Sequence, residues 1–177
     1  SFDETGYFIC NNWWENTEAV MAIGEEITSM TSVKEILENA YYLMTTDTID
    51  TGEGNTYFGS QKAYSAWAEA MSDESNFSDK TQLSQLMEHM MCFGDAAAML
   101  GEGRSYAAGY INWLGETNPE VSRECKKCAN SLRAAADCVT EMEKILGGFG
   151  GEEVLNNILK RENSDKIVSL IKEAQNH

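Results

Sequence analysis

The alternation of apolar and polar positions changes period near Thr31. Before it, residues 6–11 and residues 18–24, "EAVMAIG", are short runs, partly β-branched or aromatic and ended by turn formers, which predicts two strands. Asp3-Glu4-Thr5-Gly6 reads as a hairpin turn with only Ser1 and Phe2 ahead of it, so the pair is expected to be the remnant of an incomplete sheet. After Thr31 the pattern turns helical. "TSVKEILENAYYLM" opens with Thr31 or Ser32 followed by Glu35, a capping box, and aligns Val33, Ile36, Leu37, Ala40 and Tyr41. Residues 46–56, "TDTIDTGEGNT", have no period and read as a loop. "YFGSQKAYSAWAEAM" predicts a short helix with Gly59, Ala63, Trp67 and Met71 at intervals of four.

Two long helices follow, over about residues 79–114 and about residues 119–146, with Pro119 suited to a first-turn position and "GGFGG" as the stop; they are expected to pack antiparallel. On the second, Val121, Cys128, Leu132, Ala135, Val139, Met142 and Leu146 fall on one line, with Cys125 and Cys138 at its edges. A shorter helix pair closes the chain, the last capped near Asn163 or Ser164 and carrying Ile167, Leu170 and Ile171 inward. The fold class expected is mainly α (α+β). It comprises a two-stranded N-terminal hairpin remnant over residues 1–30, a helical bundle over 31–146 built on two long antiparallel helices, and a C-terminal helical extension over 147–177.

Winding the first long helix places Arg104 among Leu86, Met90, Phe93, Ala97, Leu100, Ala107, Ala108 and Ile111. An unpaired buried charge costs several kcal/mol, so a guanidinium there needs a partner. Three arrangements satisfy it: a carboxylate of this chain, a stem that packs while the head reaches water, or a bound carboxylate or phosphate held by the bidentate fork. "GEG" at 101–103 could also break the helix and turn Arg104 away. The opposite face lines up Glu88, Asp95, Glu102, Tyr106 and Trp113, which is either a solvated surface or one suited to a cation. The candidate ligand contacts are therefore Arg104, Trp67, Tyr64, Tyr106 and Glu102, around a pocket between the Trp67 helix, the Arg104 helix and loop 46–58.

Composition narrows the classes. Twenty-nine acidic against thirteen basic residues give a formal charge of −16, which repels phosphate backbones and anionic headgroups, so no nucleic-acid partner is expected. No apolar run approaches the roughly 20 residues of a membrane span, so no membrane partner is expected either. Cys10, Cys92, Cys125, Cys128 and Cys138 cannot all pair internally, which points to a reducing cytoplasm. His89, Cys92 and Asp95 recur at intervals of three but lack the second ligand pair of a structural zinc site, and Cys125-Lys126-Lys127-Cys128 lies within a helix, unlike a redox motif after a strand. With His89 and His177 as the only histidines, no Cys/His or Ser/His catalytic group can be built, and no metal or cofactor is expected. Exposed strand edges at the N-terminus would favour a homodimer.

The order "DETGYFICNN", "AVMAIGEE", "FGSQKAYSAWAEAM", "MLGEGRSYAAGYINWLG" and "CANSLRAAADCVTEM" resembles the C-terminal portion of papain-like proteins related to the double-glycine leader peptidases and to the acyltransferase of butirosin biosynthesis, over roughly residues 1–146. Gly59, Ala63, Trp67, Arg104, Ala107 and Ala108 carry the likeness. The resemblance implies a nucleophilic Cys and a His upstream of this stretch, neither of which has a counterpart here. Three functions are open: a small-molecule-binding or sensing domain of a larger papain-like protein, the C-terminal half of a cysteine-dependent peptidase or acyltransferase, and a structural or interaction module without a ligand.

Overall fold

The computed structural model describes residues 32–52 and 54–177. The chain divides into two compact units between Ala40 and Tyr41, and the features that follow α1 all lie in the second, Tyr41–His177. Among the described residues the architecture is mainly α, with six α-helices and one antiparallel strand pair. The strands expected at 6–11 and 18–24, and any dimer through their edges, fall outside the described residues.

Helix α1 (Val33–Thr45) starts as a capping box. Glu35 N–H donates to Ser32 Oγ at 3.2 Å, while Ser32 N–H donates to Glu35 Oε2 at 2.8 Å. Its apolar stripe, Val33, Ile36, Leu37 and Tyr41, stays exposed.

The segment expected to be a loop is a hairpin instead. β1 (Thr48–Gly52) pairs antiparallel with β2 (Asn55–Phe58), Thr48 opposite Phe58 and Ile49 opposite Tyr57. Thr48, Ile49, Thr51, Thr56, Tyr57 and Phe58 are strand formers, while Asp50, Gly52 and Asn55 among them are turn formers that read as loop. Asp50 Oδ1 accepts from Gly52 N–H at 2.8 Å, and the register shifts between Asp50 and Gly52. The hairpin ends at Gly59, where a Cβ would collide with the Thr46 carbonyl, so only glycine admits this close return of the chain.

Helix α2 (Ser60–Ser72) leads to α3 (Leu83–Thr117), whose 35 residues run unbroken through Gly101-Glu102-Gly103. A turn of 3₁₀ helix over Pro119–Val121 connects it to α4 (Ser122–Leu146). The two long helices are antiparallel: a Cβ on Gly115 would meet Cys125 and Ser122, one on Gly101 would meet Val139, and one on Gly94 would meet Phe149. Gly94, Gly101, Ala108 and Gly115 recur every seven residues, so one line of small residues runs along the crossing. Beside it Leu86, Met90, Phe93, Ala97, Leu100, Arg104, Ala107, Ile111 and Leu114 alternate by four and three, the spacing of a coiled-coil seam.

On α4 the buried line is Ala129, Leu132, Ala135, Cys138, Val139, Met142 and Leu146. Val121 and Cys128, expected on it, are exposed, and Cys138 moves from edge to interior. Val121 precedes the helix, and Ala129 occupies the seam position one residue beyond Cys128. The helix stops at Gly147, left-handed at φ 81°, whose N–H donates to Glu143 O at 2.8 Å.

Helices α5 (Glu152–Ile158) and α6 (Arg161–Asn176) complete the principal core. Val154, Ile158, Ile167 and Ile171 are fully buried with Met71, Phe93, Cys138, Met142 and Leu146. Each such aliphatic side chain contributes about 1.5–3 kcal/mol. Asn163 and Ser164 are not the cap of α6 but lie in its first turn, buried: Ser164 Oγ–H donates to Ile158 O at 2.8 Å and Asn163 Nδ2–H to Asn157 O at 2.9 Å, fastening α6 to the end of α5. None of these helices is long and apolar enough to cross a membrane.

Candidate functional site

The inward stripe of α3 brings Arg104 against α4 where Leu132 and Ala135 face it, and the small side chain at 135 leaves room for a guanidinium. Leu43 and Met44, at the end of α1, Gln61, Ala63 and Tyr64 on α2, and Ala174, Gln175 and His177 at the end of the chain close a cavity of about 300 Å³ around it. Arg104 is half-buried. Its Nη2–H donates to Tyr64 Oη at 3.3 Å, a long bond to a neutral acceptor. The ion pairs among the described residues join Lys34 to Glu38, Lys144 to Glu141, and Arg161 to Glu74 and Asp165, so within that set no carboxylate lies within 4.0 Å of Arg104.

One wall is pinned by paired amides. Gln61 Nε2–H donates to Gln175 O at 2.9 Å, and Gln175 Nε2–H donates to Gln61 O at 2.9 Å and to Ser65 Oγ at 3.0 Å. This ties α2 to α6 across 114 positions of sequence. Ser60, on the rim, has a φ of 50°, left-handed in a residue that carries a Cβ. Next to the site the Cys128 sulfur is partly desolvated, which pushes its thiol above the ordinary value; Cys125 adds to the rise and the Arg104 charge opposes it. Neither the pH-7 thiolate nor the nucleophilicity of a catalytic cysteine is expected from such a shift.

Of the five candidate contacts, the structure brings two together. Arg104 and Tyr64 share the cavity. Trp67 instead packs on Phe93, ring centroids 5.8 Å apart, and lines a separate hollow of about 270 Å³ with Met71, Phe77 and His89. Glu102 and Tyr106 lie exposed on the far side of α3. Where loop 46–58 was expected to form a wall, the ends of α1 and α6 stand. Gln61, Gln175 and His177 had no signal in the sequence beyond being polar near helix ends.

His89, Cys92 and Asp95 do not assemble as a metal group: His89 Nδ1 is hydrogen-bonded to Asn76 O at 3.0 Å, while Cys92 and Asp95 are exposed, and no cluster of three such ligands occurs among the described residues. Cys125 and Cys128 are free thiols within the first two turns of α4, as are Cys92 and Cys138 elsewhere. Comparison of the chain with protein-family models, curated proteins and solved structures gives no match.

Proposed function

We propose that this chain is a small-molecule-binding domain whose cavity takes a compact anion, a carboxylate or a phosphate ester, on Arg104. The observation that carries the reading is a half-buried guanidinium with one 3.3 Å bond to a phenol and, among the described residues, no carboxylate in reach. A guanidinium has five donors in a rigid fork and satisfies them best on a bidentate oxyanion. Tyr64 and the Gln61–Gln175 pair supply neutral polar groups at the edge, and Leu43, Met44 and Leu132 supply an apolar wall for the rest of the ligand. Under the papain-like resemblance, such a domain serves a larger protein whose nucleophile lies upstream, and the free thiols suit a cytoplasmic setting.

Thermal melts of the wild type and of Arg104→Met against succinate, citrate, inorganic phosphate and a sugar phosphate test this. A ligand at a hundredfold excess over Kd stabilises by about 2.7 kcal/mol, and for a chain of this size each kcal/mol raises Tm by about 2–4 °C. The expected result is a shift with at least one anion that vanishes in Arg104→Met, while the unliganded variant melts no lower than wild type. No shift in the wild type together with a large loss of stability in the variant makes Arg104 architecture and ends the reading.

A further inference from the structure

We propose that the outward face of α3 is a docking surface for a cationic amphipathic helix of a partner protein. The inward face of this helix is used up by α4 and the core, yet the outward face is also apolar. Met91, Met99 and Tyr106 are 69%, 77% and 78% exposed, and Trp113 is exposed on the same side. Single exposed apolar residues are ordinary, but a row of them along about 33 Å of helix, at 1.5 Å per residue, is not. Tyr110 stacks on Trp113 with centroids 5.8 Å apart, a rigid aromatic anchor at one end of the row.

Spacing and charge identify the occupant. Met99, Tyr106 and Trp113 recur every seven residues, and so do Glu88, Asp95 and Glu102 beside them. A seven-residue repeat is the register of a helix lying along a helix, with flanking charges choosing the partner. The three acids are exposed and make no ion pair among the described residues. From Leu83 to Thr117 the basic side chains are His89, directed to Asn76, and Arg104, directed to Tyr64, so the outward face has no cation of its own. A second copy of this chain would set the acidic row against itself in either direction, at a cost in repulsion. A helix with apolar residues at the seam and Lys or Arg on its flanks matches both rows. Methionine's flexible thioether is adaptable at such a surface.

The test uses the full chain and a fluorescein-labelled synthetic peptide of about three heptads, Leu at a and d and Lys elsewhere, with a scrambled peptide of the same composition beside it. Anisotropy is expected to show saturable binding of the amphipathic peptide and at least about tenfold weaker binding of the scrambled one. Met91→Ser/Met99→Ser/Tyr106→Ser and, separately, Glu88→Gln/Asp95→Asn/Glu102→Gln should each weaken it by about tenfold or more, with helicity by circular dichroism unchanged. Neutralising three exposed acids of α4 instead, Glu124→Gln/Asp137→Asn/Glu143→Gln, should change it by less than about threefold.

Equal binding of the scrambled peptide, or an equal effect of the α4 set, reduces the interaction to net charge and overturns the proposal. A dimer in light scattering that the serine variants dissolve overturns it in favour of a second copy. Absence of saturable peptide binding overturns it outright.

Discussion

Alanine at each α3 glycine tests the crossing of the two long helices, because the structure gives the substitutions opposite signs. Gly103 and Gly109 have nothing within 4 Å of where a Cβ would stand. Alanine there gains helix propensity alone, about 0.8–1.0 kcal/mol. At Gly115 the new Cβ would stand 2.7 Å from Cys125 Cβ and 3.4 Å from Ser122 Cα. Both obstacles are fixed to the α4 backbone and no rotamer change removes them, so the helices must part, at an overpacking cost of about 1–3 kcal/mol. Since the propensity gain is common to all the sites, the gap between Gly109→Ala and Gly115→Ala isolates that packing cost.

Urea denaturation followed by far-UV circular dichroism should show Gly109→Ala more stable than wild type by about 1 kcal/mol and Gly115→Ala less stable by up to about 2 kcal/mol. Gly101→Ala should fall between, since its obstacle is the Val139 Cγ1 methyl at 3.2 Å, which has some freedom to yield. In a double-mutant cycle, Cys125→Gly should recover part of the Gly115→Ala loss and none of any change at Gly109. If Gly115→Ala stabilises as much as Gly109→Ala, the two helices do not approach at Gly115 and the register of the crossing is wrong.

The capping box of α1 should fail in acid. The Ser32 backbone N–H, then its hydroxyl, hold the Glu35 carboxyl below its ordinary value of 4.5; a depressed carboxyl contributes stability that is present above its unfolded-state value and lost as pH falls through the folded one. An NMR titration of the Glu35 carboxyl carbon should therefore give a midpoint below 4.5, and a midpoint at or above it contradicts the box. At the other end of the chain, Ser164→Ala removes the 2.8 Å donor to the Ile158 carbonyl from a buried position, and urea unfolding should register a loss of about 1–3 kcal/mol. An unchanged midpoint would mean that this bond does not hold α6 to α5.

The long helices were legible because each residue type on them agrees with its neighbours. Leu86 through Leu114 keep one period for eight turns, and Pro119 and Gly147 mark the ends of the next segment in the way their backbones require. The hairpin was not legible, because its strands are five and four residues long and the Asp, Gly and Asn within them speak more strongly for a turn than three threonines and an isoleucine speak for strands. Asn163 and Ser164 misled for a related reason. Both are favoured caps, yet the tertiary acceptors at Asn157 and Ile158 recruit their side chains from inside the helix, and nothing local distinguishes the two uses.

The five site candidates separate along the same line. Arg104 could be identified from its own helix, because a charge on an apolar period is an inconsistency visible in one segment. Tyr64 bonds Arg104, whereas Trp67, three residues on and on the same face of α2, packs against Phe93 and lines the other hollow, so the rise of nearly one turn along the helix parts two aromatic residues that sequence spacing groups. The remaining polar wall depends on Gln61 meeting Gln175 across the chain, and a contact of that range has no local period or cap to announce it. Glu102 and Tyr106 read as contacts of the same pocket, although their angle on α3 opposes Arg104. That angle puts them in the outward row with Asp95 and Met99, so the helix that presents Arg104 to a cavity presents on its reverse side a second surface, acidic and apolar, with different chemistry.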